Sequence, residues 1–98
     1  MAIEVIDNPE RERFEVREGR RVIGWAAYQE TARLIVFTHT EVDPAYEGQG
    51  IGSQLVRATL DHVRAQGMQV LPTCPFVSAW MGRHPEYDDL RYRPGDEA

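Results

Sequence analysis

Apolar and polar residues alternate along the first half of the chain. In Ile3-Glu4-Val5-Ile6-Asp7, and again in RFEVRE (residues 13–18), the period is close to two, as in a strand with one buried face. Asn8-Pro9 and Gly19 mark turns, the second of them a hairpin. Two longer β-rich runs follow, RVIGWAAYQE (21–30) and RLIVFTHTEV (33–42), parted by the polar break Glu30-Thr31-Ala32. The four segments predict an antiparallel meander.

The period changes after Pro44. Between Gly50 and Gln66, Ile51, Leu55, Val56, Leu60 and Val63 recur at helical spacing, and Gly67 stands where a C-terminal cap belongs. MQVLP (68–72) predicts a short strand, and the strand–helix–strand order implies a right-handed crossover and a parallel pair. PFVSAWMGRH (75–84) predicts a second, shorter helix, with Pro75 in its first turn and Pro85 stopping it. The tail RYRPGDEA (91–98) is expected to fray. The pattern is α+β: one domain over residues 1–98, with a mixed, mostly antiparallel sheet of about five strands and two helices.

Composition narrows the partners. A length of 98 residues suits one modest core. No apolar run approaches the ~18 residues of a membrane span, and the start has no basic-then-apolar leader. The single cysteine, Cys74, excludes an internal disulfide and fits a reducing compartment. A cytoplasmic protein without a membrane partner is expected. Net charge is −5, and all 11 basic residues are arginine. They are scattered among acids, as in NPERERFEVREGRR, and form no stripe, so a nucleic-acid partner is not expected. An acidic surface tolerates a cationic substrate such as an amine. No metal site is expected.

The chemistry concentrates in EVDPAYEGQGIGSQL (41–55), where Gly48, Gly50 and Gly52 alternate at the strand-to-helix junction. Glycine has the most backbone freedom to lose in either element. A helix N-terminus offers unpaired amides and the positive end of the dipole, which together bind phosphate. Glycines let the anion approach, and Ser53 could add a hydroxyl. A tight turn alone would account for one or two of the glycines; three favour the anion site. A lysine-free chain fails the P-loop pattern. The G-x-G-x-G spacing and the strand ending in Leu71-Pro72 fail the dinucleotide fingerprint.

VDPAYEGQGIGSQL resembles the pyrophosphate loop of the GNAT superfamily of N-acetyltransferases. HTEV…EGQGIG, LPTCPFV and RHPEYDDL extend the likeness to the small stand-alone GNAT-like proteins, over about Phe14 to Leu90. The resemblance implies acetyl-coenzyme A as cofactor, wedged where the strand ending at Val42 splays from the strand at 69–71. It implies that the amides of Gln49, Gly50, Ile51, Gly52 and Ser53 hold the diphosphate, and that the pantetheine arm pairs near Glu41 and Val42. The first motif position is Glu47, where the family has Gln or Arg, so only the backbone part of the mechanism carries over. Larger members build an acceptor groove from helices between their first strands, and residues 8–13 leave no room for these. An open acceptor side, a very small amine, or a homodimer that completes the groove is expected. The implied function is acetyl transfer to a small-molecule or peptide amine, with Cys74 a candidate carrier. The alternative is a non-catalytic acyl-coenzyme A binding module.

Three residues are candidates for the reacting centre. Cys74 directly precedes Pro75 near the N-cap of the second helix, a position that favours a thiolate; buried packing is the plainer role. The resemblance implies an acetyl carrier or a proton donor to the leaving thiolate. His39 and Glu41, two apart on a strand, share a face and could take the proton of an ammonium; exposed sheet positions are the alternative. His84 lies about 13 Å from Cys74 along a nine-residue helix, so no Cys–His couple is expected. It should instead cap that helix while Glu86, Tyr87 and Leu90 dock the tail. Trp25, Tyr28, Phe37, Phe76 and Trp80 are expected in the core or lining the cofactor.

Overall fold

The alternating half of the chain becomes four antiparallel strands in the computed structural model, which describes residues 2–93. They are β1 (Ile3–Asn8), β2 (Arg13–Glu18), β3 (Arg21–Glu30) and β4 (Leu34–Val42). Helix α1 (Ile51–Ala65) then leads to β5 (Gln69–Pro72), which pairs parallel with β4. The sheet runs β1-β2-β3-β4-β5, the mixed five-stranded order that the sequence predicts. Helix α2 (Pro75–Gly82) and a 3-10 turn at Pro85–Leu90 complete the described chain. No helix among the described residues is long and apolar enough to cross a membrane.

The helical stripe of α1 and the apolar face of α2 join one cluster with the sheet residues Phe14, Val16, Ala26, Phe37 and Val70. Each fully buried Val, Leu, Ile or Phe side chain of the cluster contributes about 1.5–3 kcal/mol. Both helices therefore lie on one face of the sheet, and among the described residues no helix covers the other.

That uncovered face is closed locally by charge. Glu15, opposite Trp25 in the β2–β3 register, is 1% exposed. Arg13 Nε donates to its carboxylate at 2.7 Å, Arg17 Nη2 at 2.6 Å and Asn8 Nδ2 at 3.2 Å. Arg13 also lies over the Trp25 ring, 4.7 Å from its centroid. Burial pushes the Glu15 carboxyl up, but Arg17, then Arg13 and Asn8, outweigh it and hold the group below its ordinary range.

Two irregularities shape the sheet. Val16 pairs with Gly24 and Arg17 with Val22, so Ile23 is an extra residue in β3. Ala27 pairs with His39 and Tyr28 with Phe37, so Thr38 is an extra residue in β4. A bulge of this kind reverses the alternation beyond it. Ile35 and Phe37 face the helices before the bulge; after it, Thr40 and Val42 do, and His39 and Glu41 turn to the open face.

The first part of the tail departs from expectation. Arg91 forms a parallel bridge with Val70, and the Tyr92 amide donates to the Val70 carbonyl at 2.7 Å. The outer edge of β5 thus holds Arg91 and Tyr92. Residues 94–98, where fraying was also expected, lie outside the described residues.

Candidate cofactor site

The site begins where two strands part. The last β4–β5 pair is Phe37 with Pro72. The Phe37 carbonyl then accepts the Cys74 amide at 2.9 Å and the Thr73 hydroxyl at 2.8 Å. Beyond this point the chain turns into α2, while Thr38–Val42 runs on with no strand partner on that side among the described residues. A length of β4 edge is left facing a gap.

The loop that closes the gap is fixed by its own polar groups. Asp43 accepts the Ala45 amide at 2.9 Å and Arg21 Nη2 at 2.9 Å, and its amide donates to the Ile23 carbonyl at 2.8 Å. The Ala45 amide, followed by Arg21, holds the Asp43 carboxyl below its usual range. The Tyr46 hydroxyl donates to Glu18 at 2.6 Å, a bond that raises the phenol.

The glycine turn follows. Gly48 and Gly50 sit at φ 79° and 75°, in the left-handed region, with nothing within 4 Å of where a Cβ would stand. Backbone conformation, not crowding, therefore calls for glycine at these two positions. Gly50 is the N-cap of α1, and no acidic residue lies in the first turn of that helix. The first inward amide bond is Gln54 to the Gly50 carbonyl, at 3.0 Å. The amides of Gly50, Ile51, Gly52 and Ser53 have no hydrogen-bond partner among the described residues. The Gln49 amide, also expected to be a donor, instead closes the turn on the Tyr46 carbonyl at 3.4 Å.

The third glycine meets an aromatic ring. A Cβ on Gly52 would lie 2.7 Å from Phe76 Cζ. Phe76, in the first turn of α2, is 42% exposed and covers part of the turn. Next to Gly52, Ser53 Oγ accepts the Trp80 indole N–H at 2.9 Å, which leaves its own proton to donate. A cavity of about 300 Å³ opens between Thr40, Val42, Tyr46, Gly50, Gly52 and Phe76.

Cys74 is the N-cap residue of α2 and is buried. Its Sγ lies 3.3 Å from Thr40 Oγ1. Thr40 lines the cavity, so the thiol stands one side chain behind the wall. His39 Nε2 lies 3.2 Å from Glu41 Oε2, and both side chains are exposed on the open face, away from Thr40. Glu41 and Val42 border this cavity and also a smaller one of about 230 Å³ walled by Trp25 and Pro44. His84 stacks on Trp80 with centroids 3.7 Å apart, and its Nδ1 lies 2.7 Å from the Trp80 carbonyl. It sits at the far end of α2 from Cys74. Tyr87 is buried and donates to Asp61 at 2.7 Å, docking the segment as expected. Sequence reasoning missed Thr40, because the Thr38 bulge that turns it inward leaves no residue signature.

Known proteins align with this chain in the same terms. A sequence model of the GCN5-related N-acetyl-transferase family matches residues 13–90. Over 53 residues the chain is 34% identical to protein NATD1 of Gallus gallus, a stretch covering 54% of this chain and 48% of that one. Protein NATD1 of Homo sapiens matches at the same identity over 47% of its length. The chain therefore spans about half the length of these relatives. The solution structure of a GCN5-like candidate N-acetyltransferase from Staphylococcus aureus superposes with a TM-score of 0.68 at 19% identity, covering 96% of this chain and 94% of that one. The ribosomal-protein-S18-alanine N-acetyltransferase of Escherichia coli gives a TM-score of 0.62 at 18% identity, over 72% of this chain and 49% of that one. Glycine turn, parting strands and family match converge: the chain belongs to the GCN5-related N-acetyltransferase family.

Proposed function

We propose that the protein binds acetyl-coenzyme A at the turn before α1 and transfers the acetyl group to an amine. The observation that carries this is the row of unpartnered amides from Gly50 to Ser53, opening onto a cavity whose other wall is the free edge of β4. A diphosphate suits those donors, because the helix dipole adds to them and no acid in the first turn opposes it. Backbone groups at Glu41 and Val42 would hold the amide-bearing arm. The bound cofactor supplies an activated acyl group as a thioester.

The chain's own residues prepare the acceptor. An ammonium must lose a proton before it can attack, and Glu41, 3.2 Å from His39 and bordering the smaller cavity, would take it. The cavity between Trp25 and Glu41 suits a small amine or a peptide N-terminus. Cys74 is the candidate acetyl carrier, reached through Thr40. The uncovered sheet face offers a second copy of the chain a place to complete the acceptor side. A cytoplasmic location fits the one free cysteine.

Titration calorimetry with acetyl-coenzyme A, coenzyme A and NAD, followed by turnover on a panel of amines, tests the proposal. Binding of both coenzymes but not NAD, with turnover, is expected; failure to bind acetyl-coenzyme A overturns it. A mass increase of one acetyl group, lost in Cys74→Ala, would assign the carrier role. A binding module without turnover is the competing function, favoured by the exposure of His39 and Glu41 on the face away from Thr40. Tight binding with no turnover on any amine would establish it.

A further inference from the structure

A second cavity, of about 310 Å³, opens at the opposite end of α1. The 15-residue helix separates it from the glycine turn by roughly 20 Å. Its floor is apolar and aromatic: Phe14, Tyr28, Ile35, Val63 and Met68. Asp7, Glu30, His62 and Gln66 form its rim. The volume is that of a pocket for a small organic molecule.

The rim is electrically unbalanced. Neither Asp7 nor Glu30 has a salt bridge among the described residues, although eight are formed elsewhere. Asp7 Oδ1 accepts the Tyr28 hydroxyl at 2.6 Å, and Oδ2 has no hydrogen-bond partner among the described residues. The Tyr28 phenol is pushed well above its ordinary range by burial, then by its bond to Asp7 and the negative charges of Asp7, Glu30 and Glu12. Two rings form the back wall, Phe14 and Tyr28, with centroids 5.3 Å apart. His62 meets Phe14 edge-on at 5.3 Å. Buried aromatic rings in the floor and, at the rim, carboxylates without a salt bridge among the described residues are chemistry that suits an organic cation.

We infer that this cavity is a binding site for a small organic ammonium ion, separate from the cofactor turn. The ammonium meets Asp7 and Glu30, and the carbon skeleton lies on Phe14 and Tyr28. The inference does not depend on the cofactor assignment, because it uses none of the same residues.

The test is a titration of the full chain with 2-phenylethylammonium, followed by backbone amide NMR. The neutral 2-phenylethanol and the anionic phenylacetate serve as comparisons. Saturable shifts at Asp7, Tyr28, Val63 and Met68 in the millimolar range are expected for the cation. The alcohol should bind about fivefold or more weakly, and the anion should not bind. Glu30→Gln, at an exposed position that keeps the fold, should weaken the cation by a similar factor. Asp7→Asn should do the same, with its folding checked on the same spectrum. Shifts confined to the glycine turn, equal binding of the alcohol, or indifference to Glu30→Gln would each overturn the site.

Discussion

The Phe76 ring rests on the bare Cα of Gly52, so close that a methyl group there would stand 2.7 Å from Cζ. The obstacle is the far end of an exposed side chain, which can swing aside. Gly52→Ala should therefore fold, with the strain offset by the roughly 1 kcal/mol helix preference of alanine. The added methyl and the displaced ring intrude on the cavity, and acetyl-coenzyme A affinity should fall about tenfold, or about 1.4 kcal/mol. Thermal melts and calorimetry check the two halves.

Gly50 should behave in the opposite way. Its surroundings are open but its φ is 75°. Alanine there should cost about 1–2 kcal/mol in stability, measurable by urea denaturation, while asparagine, which tolerates the left-handed region, should recover part of the loss.

Asp43 gives the site a pH dependence. Its folded carboxyl is held low by the Ala45 amide and Arg21, so the unfolded chain takes up the proton first. The contribution is complete above the ordinary value near pH 4 and is lost as pH falls through the lower folded value. Loop order and coenzyme binding should decline together on that acid limb. Asp43→Asn should shift the decline and weaken binding several-fold at neutral pH, read by calorimetry across pH.

Glu15 contributes to stability through an acid enclosed by two guanidinium groups and an amide. Glu15→Gln leaves Arg13 and Arg17 without their counter-charge. A loss of about 1–3 kcal/mol is expected, with coenzyme affinity unchanged. Equal urea midpoints for the two proteins would contradict this.

Trp80 ties the core to the turn through its indole N–H on Ser53. Trp80→Phe should lose about 1–2 kcal/mol, from the hydrogen bond and the unfilled volume. Phosphate affinity should fall further than in Phe76→Leu, where Ser53 keeps its partner. Binding of acetyl-coenzyme A to the two variants compares them.

Much of this architecture can be read from residue order. Alternation in residues 3–42 and the i, i+4 spacing from Ile51 to Val63 each admit one regular element, and Pro44, Gly67 and Pro75 punctuate them. The glycine turn is legible because helix N-termini and left-handed φ values draw on the same residue type. What stayed hidden depends on tertiary context. Sequence spacing places His39 and Glu41 together, and they do meet at 3.2 Å. Which side of the sheet they occupy depends on one unpaired residue that no composition marks. The same holds for Thr40 in the cavity wall, and for Arg91 and Tyr92, whose hold on Val70 comes from an open strand edge, not from their own polarity.

The unpaired Thr38 has a consequence for how so short a protein can divide its labour. Up to Phe37 the strand serves cohesion, inserting bulk beneath the helices. From His39 onward the same strand shows solvent the residues that would otherwise be interred, and tucks a hydroxyl next to a thiol. Ironing out the bulge, with Thr38 kept as a paired residue of the ladder, would exchange the two sets. His39 and Glu41 would be driven under α1 and Thr40 stranded outside, dismantling the cleft while every residue around it remained in the chain.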